Sequence, residues 1–521
     1  MSFALQAAID NTATFTAPDV SYRALAPMLI VFGTGVVGIA VEAFTPRAYR
    51  WTAQAVLAIA GLVAAMVALV SFHIPSMVTA GTSVVEDGPA KFLQGGILLL
   101  AIVSLLFLAE RSNDTNGSAF VAEAVNIPGS REEQISVVAA PHSEVFPLAI
   151  FAIGGMLLFP AAHDLVTLFV ALEVLSLPLY LLCGLARRRR LLSQEAAMKY
   201  FLLGAFSSGF FLYGTALLYG YAGSTDLGKI RDAVGTTGSN DGLLYAGLAL
   251  LVVGLLFKVS AVPFQAWTPD VYQGAPTPVT ALMAACTKLA AFGALMRIVY
   301  VAAGPLKWDW RPVFWAVAML TMAVGAIMAL TQTDVKRMLA YSSIAHAGFI
   351  LTGVIATTPA GISGTLFYLI AYGFPTIGAF VIVSLVRDAE GEATHMSKWR
   401  GLGRRSPVVA GMFTLFLLAL AGIPLTSGFF GKYAVFQAAG SDGAMPVVIV
   451  GVLASAIAGF FYLRVVVLMF FHDPLPEGPT VALPGALTSG ALAIGVAITV
   501  VLGIVPGPLL DIARHSTPFI Q

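Results

Sequence analysis

The stretch from Leu255 to Phe292, LLFKVSAVPFQAWTPDVYQGAPTPVTALMAACTKLAAF, decides how the chain is read. Apolar runs enter it and leave it, yet each carries one lysine, Lys258 in the first and Lys288 in the second. Between them stand Pro263, Pro269, Pro276 and Pro278. Proline removes an amide donor and obstructs helix continuation, so the seventh helix is predicted to break here. Broken backbone at membrane depth is tolerated only where protein or a water-filled cavity surrounds it.

The flanking sequence places this stretch in a bilayer. Hydrophobic residues make up 58% of the 521 and charged ones only 11%, against about a quarter in soluble domains. Mean hydropathy is +0.88. Apolar runs near the spanning length of about 20 residues recur at 25–44, 52–72, 92–109, 145–162, 164–184, 197–221 and 243–262. They continue at 276–302, 311–331, 336–356, 361–387, 407–437, 446–471 and 485–507. The expectation is an all-α polytopic membrane protein of about fourteen transmembrane helices, with helices 7 and 12 broken. Strands are not expected, because barrel strands alternate and these runs do not.

The chain reads as a single membrane domain over 1–521. A three-helix segment at 25–109 precedes two five-helix units, at 145–302 and 311–471, and a last helix at 485–507. Aligning SAVPF at Pro263 with LAGIPL at Pro424 suggests that the two units are inverted repeats. The lysines do not superpose under that alignment. The charged connectors Glu110–Glu144 and Asp388–Arg405 read as solvated links or partner contacts.

Basic residues in loops set the orientation. Arg187, Arg188, Arg189 and Arg190 follow the fifth helix, and Arg47, Arg50, Arg111, Arg131, Lys336, Arg337, Lys398 and Arg400 share their predicted side. That side is predicted to be the cytoplasm, which puts both termini outside. The first residues hold Asp10, Asp19 and Arg23 and show neither a secretory nor a transit pattern. A bacterial plasma membrane is the predicted location.

Some functions are excluded early. A net charge of +1 gives no reason to propose nucleic acid as a partner. Cys183 and Cys286 are too far apart for a zinc or iron–sulfur cradle, so no cofactor or metal is expected in this chain. Gly33-Thr34-Gly35-Val36-Val37-Gly38 matches a dinucleotide fingerprint but lies inside an apolar helix, where small residues serve close packing.

The charges inside helices carry the functional reading. An ionisable group at the bilayer centre persists when it has a partner, a wet cavity or a task. Lys199 and Arg297 lie near helix ends and are predicted to snorkel. Arg464 and Glu42 read as structural or as partner contacts. Lys258, Lys288 and Lys432 are deeper, and Lys258 and Lys432 adjoin breaks marked by Pro263 and Pro424. Glu173 is the most central carboxylate, and a movable Glu–Lys pair couples a distant event to proton uptake. His346, in YSSIAHAGF, is a candidate bridge between lysines.

At these residues the chain resembles the antiporter-like subunits of respiratory complex I, over about 145–470. The resemblance rests on MKYFLLGAFSSGFFLYG, FKVSAVPFQAWTPDVYQGAPTPVTALMAACTKLAAF, DVKRMLAYSSIAHAGF and GIPLTSGFFGKY. In that family the glutamate of helix 5 matches Glu173, and the lysines of helices 7 and 8 match Lys258 and Lys288. The helix 12 residue matches Lys432; the M branch usually has glutamate there. The L branch has a lysine there but adds a long lateral helix for which no residues remain, and the resemblance is greatest to the N branch. The resemblance implies a proton pathway from the cytoplasm near Lys258, through Lys288, and out past Lys432. Glu173 would modulate Lys258, and His346 with internal water would bridge the central step. It further implies other membrane and peripheral subunits of complex I as partners, with NADH, FMN, iron–sulfur clusters and quinone held there. Cation/proton antiporter complexes of the Mrp type carry similar subunits and are the alternative.

Overall fold

The computed structural model describes residues 19–72, 74–111, 119–120, 142–186, 189–235, 241–388, 391–476 and 478–520. Asp10, Arg131, Arg187, Arg188 and most of the connector between Glu110 and Glu144 lie outside the described residues.

In lipid each backbone amide must be satisfied within its own segment, so long apolar runs become helices. The first are α1 (Tyr22–Phe44), α2 (Arg47–Ser71), α3 (Gly88–Ala109), α4 (Val145–Leu158), α5 (Leu165–Cys183) and α6 (Arg190–Ala222). A short α7 (Leu227–Ala233) precedes α8 (Asp241–Val259) and the brief α9 (Trp267–Gly274). The next span comprises α10 (Thr277–Leu282), a π turn over Met283–Thr287, and α11 (Lys288–Arg297). Then come α12 (Lys307–Leu330), α13 (Val335–Ile355), α14 (Pro359–Leu385), the one-turn α15 (Leu402–Arg405) and α16 (Pro407–Ala421). The chain ends with α17 (Ser427–Ser441), α18 (Met445–Phe471), α19 (Ala486–Ile504) and the short α20 (Gly507–His515).

Among the described residues, 12 helices are long and apolar enough to cross a membrane. Two shorter apolar helices, Val145–Ala161 and Pro407–Ala421, occupy the positions of two further predicted runs. Helix starts use the capping residues expected from polar side chains at N-termini. Asp87, Asp164, Asp334 and Thr358 each accept a backbone amide of the following turn.

Short strands do occur, contrary to the sequence expectation. Met77–Thr79 pairs antiparallel with Val84–Glu86, and Val386–Asp388 lies between Gly391–Glu392 and Thr480–Val481. Strands of two or three residues are too brief to show alternation, and they close connectors rather than span.

Burial separates the bundle into a centre and a rim. Thr277–Ala302, Val335–Ile355 and Pro359–Leu385 are buried along their whole apolar length, whereas α1, α2, α6 and α18 bury only 33–39% of theirs. A helix that is apolar all round belongs in a core. The rim helices turn Phe206, Leu202, Leu453 and Phe460 outward, as a lipid-facing surface requires. Within α1, Gly35 and Gly38 lie against Phe151 and Pro147, so the GxGxxG stretch packs helices as read from the sequence.

Candidate functional site

Lys258 is the second-last residue of α8. The helix stops because Ser260 takes a left-handed φ of 66°, and the chain re-forms a helix only at Trp267. Ser260 and Thr268 share a hydrogen bond of 2.8 Å, and the Trp267 indole donates to the Phe257 carbonyl at 3.0 Å. These contacts close the break that contains Pro263. The Lys258 ammonium is buried without a hydrogen-bond partner among the described residues. It stands 5.5 and 5.1 Å from the ring centroids of Tyr180 and Tyr200. Aromatic faces attract cations, which gives this charge a partial substitute for water.

Glu173 Oε1 is likewise buried and unpartnered. No ion pair joins it to Lys258 among the described residues, although the carboxylate lies within electrostatic reach. The pair read from the sequence therefore interacts through space rather than by contact.

Lys288 follows directly on the π turn Met283–Thr287. Such turns widen a helix by one residue and recur at functional sites. The Lys288 ammonium donates to the Ser343 carbonyl at 2.5 Å and to its hydroxyl at 2.7 Å. Tyr372 donates to the same hydroxyl at 2.9 Å, and its ring centroid lies 5.2 Å from the ammonium.

His346 sits one turn beyond Ser343 on α13. Its Nδ1 is 2.9 Å from the Tyr368 hydroxyl and its Nε2 is 3.4 Å from the Tyr462 hydroxyl. Tyr462 also bonds Ser342. The imidazole packs against the Tyr372 ring at 4.9 Å and the Phe349 ring at 5.6 Å.

Lys432 lies on α17, just after the break that contains Pro424. Gly422 and Leu425 take left-handed φ values of 81° and 68°. The left-handed φ of Gly422 favours glycine, and a Cβ there would come within 2.9 Å of the Lys432 Cδ and displace that side chain. The ammonium donates to the Ala421 carbonyl at 2.7 Å and to Ser455 Oγ at 2.9 Å. Ala421 ends α16, where a cation complements the helix dipole.

The three lysines are thus buried, with at most 5% of any one exposed, and each adjoins an irregular turn of helix. Lys288 and His346 lie among the hydroxyls of Ser342, Ser343, Tyr368, Tyr372 and Tyr462, whereas Lys432 bonds Ser455 and the Lys258 ammonium bonds none of the described residues. Sequence reading missed those hydroxyls, because tyrosine inside an apolar run reads as core. The adjacent Ser342 and Ser343 were the visible signal.

One reading is corrected. Arg297 does not snorkel: its side chain is wholly buried and forms two hydrogen bonds of 2.9 and 2.8 Å with the equally buried Asp87. Its partner lies far away in sequence, so position alone suggested a solvated end. Lys199 binds Glu195 at 2.6 Å and Asp270 at 2.7 Å, and Arg337 binds the other oxygen of Asp270 at 2.6 Å. These pairs anchor α9, which carries the chain from Lys258 towards Lys288. Burial works to raise the Asp270 carboxyl, but Lys199 and Arg337 outweigh it and hold it below its usual value.

Arg464 is exposed and donates to the Leu330 carbonyl, while Glu42 accepts from Arg50, Gln54 and Ser143. Nearby, Thr277 donates to Glu392 at 2.6 Å, and Lys336 stands 3.5 Å from the same carboxylate. Among the described residues, no group of three His, Cys, Asp or Glu side chains is placed to hold a metal ion.

Residues 162–458 match the family described as NADH:quinone oxidoreductase/Mrp antiporter, TM, and this span contains Glu173, Lys258, Lys288, His346 and Lys432. The chain is 62% identical over 513 residues to NADH-quinone oxidoreductase subunit N of Acidothermus cellulolyticus, covering 98% of this chain and 99% of that one. The chain belongs to the NADH:quinone oxidoreductase/Mrp antiporter transmembrane family. Its fold is similar to a chain of respiratory complex I from Thermus thermophilus, with a TM-score of 0.75, 31% identity and coverage of 94% and 99%. A chain of the Mrp complex from Dietzia sp. DQ12-45-1b gives a TM-score of 0.78, with coverage of 94% and 97%. At 20% identity that likeness shows the family's fold alone.

Proposed function

We propose that this chain is a proton-translocating membrane subunit of an NADH:quinone oxidoreductase. It couples electron transfer from NADH to quinone, in partner subunits, to proton movement across a bacterial plasma membrane. The observation that carries this reading is the set of three buried lysines, each beside an irregular turn of helix. Burying one lysine in a membrane is costly, and three are hard to explain by packing.

Protons pass from the cytoplasm to Lys258, on to Lys288, and leave past Lys432. Glu173 modulates Lys258 through space, so displacing either group changes the lysine's hold on its proton. His346 bridges the central step through its two tyrosine hydroxyls. The units 145–302 and 311–471 are inverted repeats, each contributing one broken helix, and both termini face outward. NADH, FMN, iron–sulfur clusters and quinone belong to the partner subunits. The relative from Acidothermus cellulolyticus, similar along nearly its whole length, supports this reading over a sodium/proton antiporter of the Mrp type.

Affinity purification of the tagged chain from native membranes tests the assignment. Co-purification with flavin and iron–sulfur subunits is expected. A complex made only of membrane subunits, free of flavin, would contradict it and favour the antiporter.

A further inference from the structure

We propose that Phe349 is a gate between His346 and Lys432, a positioning residue that keeps the central and final parts of the lysine line apart. This inference rests on the proton-conducting reading above. The polar groups fall into three hydrogen-bonded islands. Lys288, Ser343 and Tyr372 form the first; Tyr368, His346, Tyr462 and Ser342 the second; Lys432, Ser455 and the Ala421 carbonyl the third.

The two gaps differ. The first and second islands meet at Tyr372 of the first, whose ring touches His346 while its hydroxyl bonds Ser343. That contact includes a group able to donate and accept a proton. Between the second and third stands Phe349. The Lys432 ammonium lies 4.7 Å from its ring centroid, and the imidazole of His346 lies 5.6 Å from it at an interplanar angle of 87°. No hydrogen bond joins His346 to Lys432 among the described residues, and a phenyl ring supplies none.

Phe349 is three residues beyond His346 on α13, so the two share a helix face by construction. It is fully buried and braced by Phe436 at 5.9 Å. The ring also senses the charge beside it. An ammonium over an aromatic face is attracted by the ring quadrupole, and a neutral amine is attracted far less. Phe349 is therefore held in place while Lys432 carries its proton and released when that proton leaves. Closure with Lys432 charged opposes back-flow towards His346.

Passive proton leak into liposomes holding the purified complex, measured without NADH under an imposed potential, tests the gate. Phe349→Ala is expected to raise the leak severalfold, and adding Lys432→Ala is expected to return it to the wild-type level. A wild-type leak in Phe349→Ala overturns the proposal. So does a leak that survives in the double variant, since that marks general packing damage. If Phe349→Ala does not assemble, Phe349→Leu is read in the same assay. Leucine keeps bulk but lacks the ring, so a raised leak is expected and a wild-type leak overturns the proposal. Failure of the conduction reading itself shows separately, as an unchanged proton-to-electron ratio in Lys288→Ala.

Discussion

The ammonium of Lys432, on α17, donates to the carbonyl of Ala421, the last residue of α16, across 2.7 Å. One side chain therefore closes the helix break and places a charge inside it. The arrangement depends on close backbone approach, because a Cβ on Gly428 would come within 1.9 Å of the Ala419 carbonyl oxygen. Gly428→Ala is expected to cost about 1–3 kcal/mol by overpacking against backbone that cannot yield. Gly459→Ala, where nothing lies within 4 Å, is the control. Thermal denaturation of the purified complex should separate them, with only Gly428→Ala less stable than wild type.

Arg297 and Asp87 form a fully buried ion pair, and the Ile520 amide donates to the same carboxylate at 3.1 Å. Removing one partner of such a pair leaves an uncompensated charge, at a cost of about 3–5 kcal/mol. Arg297→Met is expected to deplete the subunit from membranes. Arg297→Met with Asp87→Asn should recover much of the loss, and equal depletion in the single and double variants would deny the coupling.

Glu86 lies in the connector before α3, buried, and accepts from Gln94 at 2.8 Å. Burial pushes its carboxyl up from 4.5 to about 7, with the nearby charge of Asp87 adding to the rise. A pKa raised on folding means that the folded state holds the proton more tightly. The resulting stability is complete below pH 4.5 and lost as pH rises through about 7. The loss is on the order of 3 kcal/mol. Glu86→Gln should keep its stability between pH 5 and 8 while the wild type loses some, a difference visible in thermal scans at the two pH values.

How much of this was legible in the sequence follows from the physics of each part. The spans were legible because a bilayer demands long apolar runs, and the breaks because Pro263 and Pro424 interrupt them. The deep lysines stood out because charge is rare among such residues. The partner of Arg297 was not legible, since Asp87 meets it only through folding. The π turn before Lys288 leaves no mark in MAACT, and Tyr372 and Tyr462 look like any core aromatic until their hydroxyls find Ser343 and Ser342. Glu173 and Lys258 were read as a pair, and the structure holds them near without contact.

That separation makes a specific prediction about Glu173. Glutamine preserves its shape and removes its charge, and Oε1 has no hydrogen bond to lose. Glu173→Gln is expected to assemble normally and to pump protons severalfold more slowly in inverted membrane vesicles. Pumping at the wild-type rate would remove Glu173 from the mechanism.

The central claim is that protons cross through the buried lysines, and Lys288 is the one bonded to Ser343 beside the Tyr372 ring. The most direct test is the ratio of protons pumped to electrons transferred by the reconstituted complex carrying Lys288→Ala, compared with wild type. The account predicts a clearly lower ratio in complexes that still contain the subunit. A ratio equal to wild type in fully assembled Lys288→Ala complex would contradict it.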